Sequence, residues 1–303
     1  MDESGDAGSA GGAAAPRFRA VARTLYVVAT PLGNLRDVTL RAIDILGSAD
    51  VIAAEDTRVT AVLLRHYGIA TRPLSLHGHN EAARAVQIVG LLQAGRSVAL
   101  VSDAGTPAVS DPGARLVRAV RDAGLAVVPI PGANAAIAAL SAAGLAAERF
   151  LFLGFLPAAA KARRELLAAV ARLPVALVVY EAPHRVQDTV ADLERALGGA
   201  RTLVVARELT KMFETITPVT LAEAQGWFAA DTHRERGEFV LLVDAPPASE
   251  IAAGEPAIDA RRLLAALVAE LPPARAARVA AAATGLPREA LYAQAIALKP
   301  DRG

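Results

Sequence analysis

The feature that most constrains this chain is a repeated unit. A short apolar, β-branched run is followed by a turn rich in Gly, Pro and acids, and then by a stretch with helical spacing. The runs Thr24 to Ala29, Val51 to Ala54, Ser97 to Val101 and Ala126 to Ile130 alternate with helical stretches over Val38 to Leu46, Glu81 to Gln93 and Gly113 to Asp122. In Glu81 to Gln93, the residues Ala82, Val86, Val89 and Gln93 fall on one face, which Ala85, Ile88 and Leu92 widen. This alternation predicts α/β units on a largely parallel sheet, since parallel neighbours need a crossover and a helix supplies it.

A second set begins with Phe150 to Phe155, followed by a helical stretch over Lys161 to Arg172 and strands over Val175 to Tyr180, Arg201 to Ala206 and Phe239 to Val243. The expected organisation is a disordered tail over 1–22, one α/β domain over 23–145, a second over 146–245, and a helical extension over 256–300. Ala245 to Pro256, rich in Pro, Ala and Gly, reads as the linker before that extension. Its helices are expected over Arg261 to Leu271, Ala274 to Ala283 and Arg288 to Leu298, broken at Gly285 and Pro287, which is helix-turn-helix spacing.

Composition removes some classes of function. The 303 residues include no Cys, which excludes disulfides, thiolate metal sites and a Cys nucleophile, and costs an intracellular protein nothing. Met1 to Ala20 lacks the basic start and apolar run of a signal peptide, and no stretch approaches the apolar length of a membrane span. A cytoplasmic location is expected. The net charge of +1 argues against a surface that binds nucleic acid everywhere. Any such contact must be local, and the segment from Pro256 onward, with seven Lys/Arg against four Asp/Glu, is one place for it.

The polar motifs stand at strand ends, where open α/β sheets bind ligands. Ala29-Thr30-Pro31-Leu32-Gly33-Asn34 follows the first strand and reads equally as a tight turn. Ser102-Asp103-Ala104-Gly105-Thr106-Pro107 and Ser110-Asp111-Pro112-Gly113 follow Val101. Helix capping accounts for Asp111 and Pro112 but not for Ser102 to Pro107, where a carboxylate at a strand end is placed to hold a diol or an amine. Pro131-Gly132-Ala133-Asn134 precedes a small-residue helix, Ala135 to Ala142, that suits either a flat ligand or close packing on a sheet. Tyr180-Glu181-Ala182-Pro183-His184-Arg185 ends another strand, as does Arg207-Glu208-Leu209-Thr210-Lys211 with Phe213 and Glu214 beyond, where a structural ion-pair cluster is an equal reading. His77-Gly78-His79-Asn80-Glu81 invites a metal reading, but no further ligand set accompanies it. A polar loop with Asn80 capping the next helix is expected instead, and no metal. Glu55-Asp56-Thr57-Arg58 either caps a helix over Thr57 to Tyr67 or meets substrate.

The order of these motifs from Thr30 to Lys211 resembles the tetrapyrrole (corrin/porphyrin) methylases, and within them the bacterial 16S ribosomal RNA 2′-O-methyltransferases. The resemblance covers Thr24 to about Val243, and the helical tail is similar to that branch's C-terminal extension. It implies two α/β domains holding S-adenosylmethionine in the cleft between them, a homodimer, and methylation of the ribose of cytidine 1402 of 16S rRNA in the small ribosomal subunit. It implies a cofactor site at Pro31, Leu32, Val101, Ser102, Asp103, Thr106, Asn134, Ala135, Glu181, Glu208 and Leu209. Gly78 departs from the family's larger residue between the two His, which leaves position 78 without a direct role.

The proton acceptor stays open among Asp56, His79, Glu81 and Glu214. RNA phosphates are expected at Arg58, Arg65, Arg261, Arg262, Arg275 and Arg278. The competing readings are carbon methylation of a macrocycle, whose usual Gly-x-Gly-Pro-Gly first turn is absent, and a ribosome-assembly factor that uses the cofactor pocket only as a sensor.

Overall fold

The computed structural model describes residues 18–247 and 260–298. The first half carries β1 (Thr24–Val28), α1 (Leu40–Ser48), β2 (Val51–Ala54), α2 (Thr57–His66), β3 (Pro73–Ser75), α3 (Glu81–Gln93), β4 (Val98–Val101), α4 (Ala114–Asp122), β5 (Ala126–Ile130) and α5 (Ala135–Ala143). Its five strands lie in the order β3-β2-β4-β1-β5 and all pair in parallel. Alternate residues of each strand feed opposite cores. Tyr26, Val28, Ile52 and Ala99 pack with α1 and α2, whereas Leu25, Ala53, Val98 and Leu100 pack with α3 and α4. Burial on both faces is why these strands read as unbroken apolar runs.

The second half carries β6 (Phe150–Phe155), α6 (Ala160–Val170), β7 (Ala176–Glu181), α7 (Val186–Leu197), β8 (Thr202–Arg207), β9 (Thr215–Thr220), α8 (Leu221–Ala229) and β10 (Phe239–Val243), in the sheet order β6-β7-β10-β8-β9. The first sheet is the parallel one expected from the alternation, whereas this second sheet is mixed. β6 and β7 run parallel, but β10 runs antiparallel to both β7 and β8, and β9 antiparallel to β8. The link from β8 to β9 holds no helix for a crossover, so the chain returns antiparallel.

Two edge strands carry no apolar run and went unread in the sequence. β3 is three residues beginning with Pro73, and β9 is Thr-Ile-Thr-Pro-Val-Thr. Short length, Pro and polar residues suit an edge, where unpaired backbone must not recruit another strand. The core face of α3 is also corrected. Ala85, Ile88 and Leu92 are buried, whereas Val86 on the other face is 76% exposed.

α5 joins the halves. Its Ala136 and Ala139 pack on Val178, Val204, Val240 and Leu242 of the second sheet. Close packing therefore accounts for the small residues in the body of this helix. After the linker, α9 (Ala260–Glu270), α10 (Pro273–Thr284) and α11 (Arg288–Ala297) enclose a core of Leu264, Ala276, Ala277, Ala280, Leu291 and Ala295. Gly285, at φ +68°, ends α10 in the left-handed conformation that favours glycine. Of the expected tail, residues 1–17 lie outside the described residues, as do 248–259 and the side chain of Arg262.

Candidate active site

The strand order reverses beside β1, and the loops after β1, β4 and β5 meet there at the carboxyl ends of the strands. An isolated bridge ties Thr30 to Gly105, with Thr30 N–H donating to Gly105 O at 2.8 Å and Gly105 N–H to Thr30 O at 3.0 Å. The Thr30 hydroxyl donates to Ser102 O at 3.1 Å, and the Thr106 hydroxyl to Ala133 O at 3.0 Å. Gly105 has φ +76°, and a β-carbon there would meet Leu32 at 3.2 Å. The left-handed conformation favours glycine here, and any side chain would also press on Leu32. Three loops distant in sequence become one rigid rim.

Facing that rim are the ends of β6 and β7, the start of β10, and the loop after β8. Between them lies a cavity of about 330 Å³. Leu32, Thr106, Asp111, Asn134 and Ala135 line it from the first half, and Phe155, Tyr180, Glu181, Leu209 and Phe239 from the second. The Tyr180 hydroxyl accepts from Ala136 N–H at 3.1 Å, which pins the start of α5 to the second sheet. Asn134 caps α5 through Ile137 N–H at 3.2 Å. Of the expected cofactor residues, Leu32, Thr106, Asn134, Ala135, Glu181 and Leu209 line this cavity, whereas Pro31, Ser102 and Asp103 line a smaller neighbour. The Val101 side chain is buried in the first core.

Glu181 reaches the cavity through backbone, because its carboxylate is fully internal. It accepts from the Thr189 hydroxyl at 2.6 Å and from Ala182 N–H at 2.9 Å, and pairs with Arg185 at 3.3 Å. Glu208 is likewise engaged, accepting from Lys211 Nζ and from Glu238 N–H, each at 2.9 Å. Burial pushes its carboxyl up, but these two donors outweigh burial and hold it below the usual range. The loop after β8 is strained, with Glu208 at φ +52° and Thr210 at φ +65°. It grips the first half, since Lys211 lies so close over Gly33 that a β-carbon there would have no room.

The acids at the ends of β2 and β4 behave differently. Among the described residues, Glu55, Asp103 and Asp111 take part in no ion pair. Asp103 Oδ1 accepts from Asp56 N–H at 2.9 Å, and Glu55 Oε2 from Asp103 N–H at 3.4 Å. Burial and the neighbouring carboxylates raise all three pKa values. Asp56 is the exception. Its carboxylate holds Arg58, and those hydrogen bonds pull it to about 2. It caps α2 through Arg58 N–H at 2.8 Å.

The expected proton acceptors scatter. Glu81 is buried, and its Oε1 accepts from the N–H groups of Gly113, Arg115 and Leu116 at 2.9, 3.0 and 3.4 Å. It is the cap of α4, so the expectation that Asp111 caps that helix is corrected, and Asp111 lines the cavity instead. Asn80 makes no side-chain cap to α3 and turns back to accept from His77 N–H at 2.8 Å. His79 is exposed and stacks edge-on with His77 at 5.9 Å. Glu214 is exposed and accepts from Thr210 N–H. Among the described residues, no group of three or more His, Asp or Glu is placed to hold a metal ion. Arg58 and Arg65 are exposed on α2, as are Arg261 on α9 and Arg275 and Arg278 on α10.

Comparison with known proteins agrees with this arrangement. Residues 24–225 match the family described as Tetrapyrrole (Corrin/Porphyrin) Methylases, and residues 254–299 match the RsmI C-terminal HTH domain. The chain is 50% identical over 272 residues to the Ribosomal RNA small subunit methyltransferase I of Escherichia coli O157:H7, covering 90% of this chain and 94% of that protein. It is also 50% identical over 277 residues to the protein of that name from Pseudomonas aeruginosa, covering 91% and 97%. Among solved structures, the uroporphyrin-III-C-methyltransferase of Thermus thermophilus superposes with a TM-score of 0.52 at 21% identity, over 73% of this chain and 94% of that one. The methyltransferase CobJ gives 0.56 at 23% identity, over 73% and 93%.

Proposed function

The chain belongs to the tetrapyrrole (corrin/porphyrin) methylases, and from that premise we propose that it transfers the methyl group of S-adenosylmethionine to the ribose 2′-hydroxyl of cytidine 1402 in 16S rRNA of the small ribosomal subunit. The observation that carries this reading is the pair of end-to-end relatives, both named as small-subunit RNA methyltransferases, together with the match of the C-terminal helices to the RsmI C-terminal HTH domain. The macrocycle methylases resemble the chain at the level of fold alone.

The site fits the cofactor. S-adenosylmethionine carries a sulfonium, an ammonium and a flat purine, and when bound it supplies the activated methyl. The cavity offers apolar walls at Leu32, Phe155, Leu209 and Phe239 for the flat group. Asp111 lines the same cavity, takes part in no ion pair among the described residues, and is repelled by the nearby Asp103 carboxylate. A cationic ligand relieves that repulsion.

Four tasks remain for the chain. Leu32, Thr106, Asn134, Ala135, Leu209 and the Glu181 backbone position the cofactor. Closure between the halves excludes water and aligns the ribose oxygen. A carboxylate takes the hydroxyl proton, and Asp103 is better suited than Asp56, whose lone pairs are committed to Arg58, or Glu81, which caps α4. Arg58, Arg65 and the basic helices meet phosphates. We further propose that the enzyme works in the cytoplasm as a homodimer, with 23–145 and 146–245 as its two α/β domains and 256–300 as the extension.

The test is methyl transfer to small subunits that lack the modification, read by mass spectrometry of the RNA. A single ribose-methylated cytidine is the expected product. Binding of S-adenosylmethionine without transfer would leave only the sensor reading.

A further inference from the structure

A second cavity, of about 280 Å³, opens on the far side of the loop after β1. Leu32 lines both cavities. The loop after β4 also divides between them, with Ser102 and Asp103 in the second and Ala104 to Thr106 in the first. One side chain and one peptide step therefore separate the contents of the two. That adjacency is what a methyl donor and its acceptor require.

The walls indicate what enters. Pro31, Val59, Val62 and Leu63 make the walls of this second cavity largely apolar, and Asp103 lines the same cavity. Val59 and Val62 are 45% and 53% exposed, so α2 presents apolar side chains to water at this point. Thr60, in the same wall, keeps its hydroxyl buried without a hydrogen-bond partner. At the neighbouring turn of α2, the Arg58 side chain is 89% exposed. A polyanionic macrocycle is repelled by the Asp103 carboxylate, whereas an uncharged base with a ribose is not. The volume lies just below the pockets of about 300–1,000 Å³ that hold drug-sized ligands, which is the scale of one nucleoside.

We propose that this second cavity receives one unstacked pyrimidine nucleotide of the RNA. Its base lies in the slot between Pro31 and α2, its ribose at Leu32 and Asp103, and its phosphate at Arg58. Enzymes that modify a single nucleotide take it out of the stack, and apolar walls replace the stacking it loses. This assignment rests on the RNA methyltransferase reading above.

The test uses the full chain and the exposed position Val62, where substitution leaves the core intact. Val62→Trp fills the slot, and Val62→Ala keeps it open. Cytidine 5′-monophosphate is titrated into methyl-labelled protein saturated with S-adenosylhomocysteine, and methylation of small subunits is measured in parallel. In wild-type protein the Val59 and Val62 methyl resonances should move while that of Val240, in the other cavity, stays. Val62→Trp should bind S-adenosylhomocysteine with wild-type affinity and unfold at the wild-type temperature. It should lose the nucleotide-induced shifts and methylate about tenfold or more slowly. Val62→Ala, which only removes methyl groups from one wall, should fall between wild type and Val62→Trp in both nucleotide-induced shifts and rate.

Methylation by Val62→Trp at the wild-type rate overturns the pocket and leaves the enzyme reading intact. Nucleotide-induced shifts in a wild-type protein that methylates no RNA would do the reverse. A change in sedimentation of Val62→Trp, with methylation per subunit unchanged, would make the slot a subunit contact and also overturn the proposal.

Discussion

The two halves bury carboxylates in opposite ways. In the second half the two buried acids, Asp192 and Glu181, and the half-buried Glu208 each have a cation. Asp192 accepts from Arg163 Nε and Nη2, both at 2.7 Å, with Arg195 at 3.2 Å. Glu181 has Arg185, and Glu208 has Lys211. In the first half, Glu55, Asp103 and Asp111 share one corner without such partners among the described residues, and their pKa values rise. Acids that are paired within the chain hold it together, whereas acids left unpaired at a cleft wait for a charge from outside.

The largest expected effect breaks the paired side. Asp192→Ala leaves the Arg163 guanidinium, whose side chain is 5% exposed, buried without its carboxylate. Loss of a partner in such a pair costs about 3–5 kcal/mol. Chemical denaturation should show a loss of that size, with methylation by the remaining folded protein unchanged. The unpaired side should respond the other way round. Asp103→Asn should lower methyl transfer by about 100-fold with an unfolding midpoint no lower than wild type, and Asp103→Ala should weaken S-adenosylmethionine in calorimetry. Unchanged affinity in Asp103→Ala would remove Asp103 from the cofactor site.

The same contrast fixes the sign of a pH effect. A carboxyl whose folded pKa is raised binds more protons folded than unfolded, between its unfolded value and its folded one. For Asp103 and Asp111 that window opens upward from 3.8, and stability contributed by the protonated form is lost as pH rises through it. Glu208, held below its ordinary 4.5, contributes stability above that value and loses it as pH falls. Asp111→Asn should therefore raise the melting temperature at neutral pH, and the gain should shrink on acidification. Glu208→Gln should lower it at neutral pH, with that loss shrinking in acid. A melting temperature for Asp111→Asn equal to wild type at neutral pH would mean that the corner is already neutralised.

Much of this layout was legible before the structure. β2, β5, β6, β10 and α3 lie where apolar periodicity places them, because burial on one or both faces writes a local pattern. The order of motifs at strand ends also marked the cleft. What local spacing does not encode is a polar side chain reaching across the fold. Glu81 caps α4 from 32 positions away, and Lys211 covers Gly33 from the other half of the chain. Read alone, Glu81 looks like a free acid beside two His, and Glu181 like a cleft carboxylate. In the structure the Glu81 carboxylate accepts from three N–H groups at the start of α4, and the Glu181 carboxylate from Thr189 and Ala182. The edge strands escaped for the opposite reason, since their task is to look unlike strands.

The smallest effect sharpens the comparison at its surface. Arg58 resembles Arg185 in pairing with an acid nearby, but its side chain is 89% exposed where that of Arg185 is 20%. An exposed pair contributes little to stability, so Arg58→Ala should leave the unfolding curve unchanged. If Arg58 neutralises an RNA phosphate, its removal releases one fewer counterion. The slope of log affinity against log salt should then fall by about 0.7, the same for every RNA sequence tested. Arg275→Ala with Arg278→Ala should take about twice that if the helical extension lies on the backbone. A salt slope unmoved by Arg58→Ala would assign that side chain to α2 alone, as the partner of its capping Asp56. The phosphate contact would then belong to Arg65 or to the extension, each of which the same titration reads separately.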